Sequence, residues 1–185
     1  MDYFKEVGEK LSARCGKGAL GDNFPELAAA VLAEIPAPTD IGIEFMADWA
    51  LGQERLPDQV NFHSGFGEPP LVVYEEPRFY AEVLFWSHGR TSIHGHGFYG
   101  AFQVLAGYSI EAEFVYHREQ EPVPGIQLGE LEPTSLRLIT PGDITPILSE
   151  EAFIHTVMHM GNPSLTLVIR NQGGLVQYDY SMNGL

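Results

Sequence analysis

Hydrophobic positions in the first third of the chain recur at helical spacing. From Tyr3 to Cys15, the residues Phe4, Val7 and Leu11 fall on one face and Gly16 supplies a stop. Asn23 is placed to cap a second helix with Pro25 in its first turn, and the Ala-rich run from Leu27 to Ile35 ends before Pro36-Ala37-Pro38. A third helix is expected through about Gln53, capped by Thr39 or Asp40 and burying Ile43, Met46, Trp49 and Ala50.

After about Gln59 the pattern changes to short runs rich in Val, Ile, Phe, Tyr and Thr, punctuated by Gly and Pro. These runs predict strands over Val60 to Phe66, Leu71 to Tyr74, Arg78 to Trp86, Gly97 to Leu105 and Tyr108 to Tyr116. A second set covers Ser135 to Leu138, Asp143 to Leu148, Ala152 to Met158, Leu165 to Arg170 and Leu175 to Tyr180. So many short strands suit a closed barrel or jelly roll better than one open sheet, because closure hides strand edges. The acidic, Pro-rich stretch from Glu119 to Pro133 is expected to be a loop between the two halves of the barrel. The fold class expected is therefore mainly β, a jelly-roll barrel preceded by an N-terminal helical segment. Residues 1–58 would pack as helices on a barrel of residues 59–185, the whole forming one structural domain.

Charge narrows the functional classes. Ten Lys and Arg against 25 Asp and Glu give a formal charge of −15, which leaves no basic stripe for nucleic acid. The same acidity repels anionic ligands at long range, so an anionic substrate needs a local Arg or a metal to hold it. Cys15 is the single cysteine, and the start of the chain has no secretory-signal pattern, so a cytoplasmic setting is expected. Apolar runs such as Leu27 to Ala33 are far shorter than the roughly 20 residues that span a bilayer, and no membrane partner is expected.

Four of the seven histidines, His88, His94, His96 and His155, fall at or beside strand ends. His94 and His96 alternate in SIHGHGFYG, so on a strand both imidazoles point to one face and form half of a metal site. A His-x-His pair alone is equally compatible with surface decoration or a satisfied core pair.

Around this pair the sequence resembles the cupin superfamily. That family's first motif runs Gly, His-x-His and a later Gly, and its counterparts here are Gly89, His94, His96 and Gly107. Its second motif places Pro-Gly before a strand and a third His on the next, matching Pro141, Gly142 and His155 in ITPGDITPILSEEAFIHTV. The Glu usual in the first motif is replaced by Gly100 or Ala101, which points to a three-His site. Within the cupins, FYAEVLFWSHGRTSIHGHGFYGAFQVLAG and PGDITPILSEEAFIHTVMHMGNPSLTLVI are similar to the cysteine dioxygenase-like thiol dioxygenases, over roughly residues 70 to 170.

The resemblance implies a mononuclear Fe(II) held by His94, His96 and His155, oxidising a small thiol to a sulfinate with dioxygen. Zn, Ni or Mn would also accept three imidazoles. Ala101 stands where animal cysteine dioxygenases carry a crosslinked Cys. Thr166, Val168 and Arg170 stand where the family has Ser, His and Tyr, and the carboxylate-binding Arg near Tyr74 has no counterpart, which argues against free cysteine. Arg90 and Arg170 are the cations available to replace that clamp, Arg170 sharing a face with Thr166 and Val168 and needing a carboxylate if that face lines the barrel.

Tyr99, Phe98 and Gln103 are candidates to line the pocket. His159 shares the strand face of His155 and is either a further ligand or base, or, as the family pattern suggests, a solvent-exposed strand end. His63 and His88 are loop or strand-edge positions, and Trp49 and Trp86 are expected core anchors. The alternatives are a three-His dioxygenase cleaving a diketone or enol, and a cupin that binds a metal or small ligand without turnover. The chain would act as a monomer or homodimer.

Overall fold

The computed structural model describes residues 2–59, 67, 69–87, 89–173 and 177–181. Three helices lead: α1 (Tyr3–Cys15), α2 (Phe24–Glu34) and α3 (Ile43–Gly52). Asp2 caps α1, its Oδ1 accepting from the backbone N–H groups of Phe4 at 3.1 Å and Lys5 at 3.3 Å, two of the donors that a helix start leaves open. Asn23 occupies the N-cap position of α2 without a side-chain cap bond, and Pro25 lies in the first turn, where a missing N–H removes no helical bond. The third helix departs from expectation. It starts at Ile43 behind Gly42, so neither Thr39 nor Asp40 caps it, and Ile43 is 55% exposed. This helix packs through Phe45, Met46 and Trp49, and turning that stripe inward carries Ile43 out.

Eleven strands follow among the described residues. They are β1 (Leu71–Glu75), β2 (Phe79–Trp86), β3 (Gly89–Arg90), β4 (Ile93–His96), β5 (Gly100–Ala106), β6 (Ser109–Val123), β7 (Ile126–Ile139), β8 (Ile144–Ile147), β9 (Glu150–His159), β10 (Ser164–Asn171) and β11 (Gln177–Tyr180). They form two antiparallel sheets, β1-β2-β10-β5-β8 and β11-β4-β9-β6-β7, with β3 beside β9. The protein is thus mainly β, two antiparallel sheets behind N-terminal helices. None of the described helices is long and apolar enough to cross a membrane.

Three strand expectations need comment. The run Val60 to Phe66 and the start of the run at Leu175 lie outside the described residues. The run expected from Gly97 begins at Gly100, and the residues ahead of it form the separate strand β4 that carries the His pair. The stretch Glu119 to Pro133 is not a loop. It completes a long hairpin in which β6 and β7 pair from Ser109 opposite Ile139 to Val123 opposite Ile126. Beyond Phe114 the neighbouring strand β9 no longer pairs with β6, so the hairpin continues as a mostly exposed ribbon, with Tyr116 against Tyr180 and Arg118 paired to Glu151. Acidic residues on both sides of it erase the alternation that would have marked a strand.

The sheet β1-β2-β10-β5-β8 is buried on both faces. Successive side chains of a strand point oppositely, so Ala81, Val83, Leu165, Leu167 and Ile169 join Phe4, Leu11 and Phe24 of the helices in one core. Their neighbours Leu84, Phe102, Val104 and Val168 meet Ile139, Phe153 and Val157 of the second sheet in another. Aliphatic burial of this kind contributes about 1.5–3 kcal/mol per side chain.

Candidate metal centre

His94 and His96 occupy alternate positions of β4, and His155 lies directly across from His94 on β9. Antiparallel partners present their side chains on the same face, so the fold brings all three imidazoles to the inner wall of the barrel. Gly95 permits this closeness: a Cβ there would stand 2.5 Å from the Glu150 carbonyl oxygen of β9. At the end of β5, Gly107 has φ +76° and would press a Cβ against Ser164 and Pro163, which fits the turn position that glycine takes most readily. His94, His96 and His155 are 0%, 5% and 5% exposed, and their ligand atoms lie within 4.8 Å of one another.

Hydrogen bonds set two of the tautomers. The Nδ1 of His94 is 2.9 Å from the Ser92 carbonyl oxygen; a carbonyl only accepts, so Nδ1 carries the proton and Nε2 keeps its lone pair. The Nδ1 of His155 donates to Oε1 of Glu111 at 2.8 Å, leaving its Nε2 as the donor atom for a metal. Glu111 is fully buried, and its other oxygen accepts from Nε and Nη2 of Arg137 at 2.8 and 2.5 Å. Arg137 also donates to the Thr145 hydroxyl at 2.7 Å. Burial pushes the Glu111 carboxyl up and Arg137 opposes that shift. The form able to accept from both an imidazole and a guanidinium is the carboxylate. A carboxylate behind a ligating imidazole fixes its ring and raises its basicity.

Burial holds all three imidazoles below the usual histidine range. His155 lies well below it, depressed further by the charges of His94 and Arg137; His94 is lowered chiefly by burial; His96 falls to about 2 through burial, then its two imidazole neighbours, then Arg170. They are therefore neutral at neutral pH, the form that binds metals. His96 Nδ1 is buried with no hydrogen-bond partner among the described residues. The donor set fits a divalent transition ion: three neutral nitrogens from one face, which closure onto bonds of about 2.1 Å would draw to roughly 3–3.5 Å apart.

The triad opens into a cavity of about 50 Å³ between the two sheets. Its walls are mostly apolar, with Leu84, Phe102, Ile147 and Val168 among them, and Trp86 and Phe98 supply aromatic surface. Arg170 lies on the inward face with Thr166 and Val168, as its strand position predicts. Its Nη1 is 3.6 Å from Oε1 of Glu82, and its guanidinium carbon stands 3.6 Å from the centre of the Phe98 ring. The carboxylate that a buried Arg requires thus comes from β2.

Several expected positions change. Arg90 is exposed on β3 opposite Met158 and does not line the cavity. Tyr99 and Gln103 face the helices: Tyr99 packs edge-on against Phe24 at 5.9 Å, and Gln103 accepts from the Tyr3 hydroxyl at 2.8 Å. The inward positions of β5 are Phe102 and Val104, so strand parity sends Gln103 the other way. His159 is not at a solvated strand end. It is 8% exposed, stacks on Trp86 at 4.3 Å and 12°, and places Nδ1 3.0 Å from the Ser109 hydroxyl. Pairing of β9 with both β3 and β6 runs to this residue, which keeps the alternation going and turns the ring inward. Burial lowers its pKa to about 4. Trp86, packed against the second core as expected, is also a wall of the cavity. His63 and His88 lie outside the described residues.

Sequence reasoning passed over Glu82, Glu111, Arg137 and Ser109. For Glu82 a signal existed, a single acid inside the apolar run FYAEVLFW. Glu111 alternates with Glu113 in SIEAEF, a pattern that reads equally well as an outward polar face.

No protein-family model matches the chain, and no curated protein matches it. Solved structures with a similar course include a polyketide cyclase from Streptomyces resistomycificus, at 13% identity and TM-score 0.43, covering 71% of this chain and 89% of that one. A cupin-2 domain from Rhodospirillum rubrum aligns at 11% identity and TM-score 0.44, covering 70% and 80%. A hydroquinone 1,2-dioxygenase in complex with Cd2+ and 4-hydroxybenzonitrile aligns at 14% identity and TM-score 0.41, covering 55% of this chain and 63% of that one.

Proposed function

We propose that this chain is a mononuclear iron-dependent dioxygenase of small thiols, with His94, His96 and His155 as the metal ligands. The observation that carries the reading is the convergence of three buried, neutral imidazoles on one end of a narrow, mostly apolar cavity. Bound there, Fe(II) would supply an undiminished positive charge and open positions for a thiolate and dioxygen. The net reaction balances without a further reductant: a thiol and one dioxygen give a sulfinic acid, both oxygen atoms ending on sulfur.

The protein's own residues have separable parts in this scheme. Ser92 and Glu111 hold the rings of His94 and His155 in the ligating tautomer. Leu84, Phe102 and Val168 keep bulk water from the reacting end. His159 faces the same cavity through a buried Nε2 that has no hydrogen-bond partner among the described residues, so it can bond a polar group of the bound molecule. A cavity of about 50 Å³ suits a ligand of a few heavy atoms. Residues 1–58 would serve as the structural cover of the barrel rather than as part of the site.

The test is metal analysis of protein purified with and without oxygen, followed by oxygen-electrode measurements on iron-loaded protein with a panel of small thiols. Near-stoichiometric iron, oxygen uptake matching thiol loss and a sulfinate seen by mass spectrometry are expected. Failure to bind any divalent ion would overturn the reading. So would oxygen uptake with a diketone and none with thiols, or ligand binding without product.

A further inference from the structure

Glu82 and Arg170 place a buried ion pair on the wall of the cavity that holds the three histidines. Glu82 is 3% exposed in the middle of β2, and Arg170 projects from β10, one strand over. The guanidinium carbon stands 3.6 Å from the centre of the Phe98 ring, and Nη1 is 3.6 Å from Oε1 of Glu82. Arg170 lines the same cavity as His94, His96 and His155. Among the described residues that line this cavity it is the one with a permanent positive charge, and a carboxylate from the protein already attends it.

We propose that Glu82 is a specificity filter: by holding Arg170 in an internal ion pair it closes the cavity to carboxylate-bearing ligands and leaves it open to small ones with an uncharged tail. Charges in a small, mostly apolar cavity are weakly screened. An incoming carboxylate would have to approach Arg170 past the carboxylate of Glu82, and like charges brought together across a binding surface suppress the wrong partner. The chain's charge of −15 acts in the same direction at long range. Removing the negative charge of Glu82 reverses the situation, because the repulsion of an incoming carboxylate disappears while the buried guanidinium keeps its charge. For the reacting group of the ligand this inference rests on the thiol reading above; for its charge it rests on the cavity alone.

Two probes of similar length separate the charge states, 2-mercaptoethanol and 3-mercaptopropionate, titrated into cobalt-loaded protein and followed by visible absorption. The wild-type chain should bind the neutral thiol at least about tenfold more tightly, and Glu82→Gln should invert that preference by a similar factor. A second arm needs no metal: propionate, titrated calorimetrically into metal-free protein, should bind Glu82→Gln and leave the wild type silent. Glu82→Asp, which keeps the charge, should behave as the wild type does. The inference is overturned if wild-type protein takes 3-mercaptopropionate as readily as 2-mercaptoethanol, a comparison that requires no variant to fold. It is equally overturned if folded Glu82→Gln gains no affinity for propionate. Failure to load any divalent ion would remove the thiol reading and leave the propionate arm standing, so the two failures are distinguishable.

Discussion

The two faces of the sheet β1-β2-β10-β5-β8 are made by the same strands and do opposite work. On β2, β5 and β10 the odd-numbered residues point to the helices. There Ala81, Val83, Ala101, Leu165, Leu167 and Ile169 are all at most 2% exposed, and Gln103 makes its bond to Tyr3. The even-numbered residues point into the barrel, where Glu82, Trp86, Thr166 and Arg170 share the wall with Leu84, Phe102 and Val168. A dry apolar layer thus backs a layer that carries charge and aromatic surface toward the histidines. Because alternation assigns each residue to one layer, stability and chemistry should separate by residue parity on these strands.

The sharpest way to break that separation is to remove a ligand from the inner side. His155→Ala should abolish retention of metal through desalting, measured by elemental analysis, while far-ultraviolet circular dichroism and cooperative unfolding persist. The buried Glu111 keeps Arg137 as a partner in this variant, so no lone charge is left behind. Unchanged metal content would mean that His159 or another group is the donor.

Acid should act on the inner layer next in size. His94, His96, His155 and His159 are all held below the usual histidine pKa, chiefly by burial, whereas in the unfolded chain they titrate near the ordinary value of about 6.5. Below that value the unfolded state takes up protons that the folded state refuses, so stability is intact above about pH 6.5 and falls as pH drops toward the folded values. Each such histidine contributes a slope of about 1.4 kcal/mol per pH unit in that window. For His159 the window closes near pH 4, its folded value. Urea unfolding of metal-free protein across this range should show the loss, and His159→Gln should reduce the slope by one proton. A flat profile would contradict the buried, neutral description of the site.

On the outer layer, Leu167→Ala should cost about 2–5 kcal/mol of unfolding free energy, since Leu167 is fully buried against the helices. Metal affinity, measured by competition with a chromophoric chelator, should stay within about twofold, because residues packed on the far face share no partner with the triad. A large fall in affinity would show that the two layers are coupled through the sheet.

The parity of these strands explains what could be read from the sequence and what could not. The run FYAEVLFW announces a strand, but with both faces buried its alternation is nearly invisible, and Glu82 alone marks the inner side. Gln103 looked inward because a polar residue in an apolar strand invites a functional reading. The helix that supplies its partner Tyr3 is 100 residues away in sequence, beyond what local pattern can register. The His-x-His pair was legible because a two-residue period is local. Its carboxylate support was not, since Glu111 and His155 meet across the β6–β9 pairing, 44 residues apart. The β6–β7 hairpin was misread for a third reason: where a ribbon is mostly exposed, little forces its residues to alternate.

Glu111 makes the comparison finer, because it sits behind the site and touches it through one nitrogen of His155. Glu111→Gln keeps the volume and removes the charge. Metal affinity should fall by roughly 10–100-fold, the usual loss when the group orienting a ligating imidazole is changed. Arg137 then loses its buried counter-charge but remains 3.7 Å from Glu113, which should keep the barrel folded. No loss of affinity would mean that the position of His155 is set by packing alone.

The smallest expected effect tests the assignment of faces most directly. Tyr3→Phe removes a single hydroxyl that donates to Gln103 across the helix–sheet boundary. Burial pushes the Tyr3 phenol far above its ordinary pKa, so the hydroxyl stays protonated and able to donate over the whole useful pH range. Its loss should cost about 0.5–1.5 kcal/mol for the bond, rising toward about 3 kcal/mol if the Gln103 oxygen finds no substitute partner. Ligand and metal titrations should not change at all, because Gln103 faces away from the cavity. Were Gln103 a cavity residue held in place by Tyr3, the same substitution would free its amide to reach the bound molecule, and affinity would shift while stability barely moved.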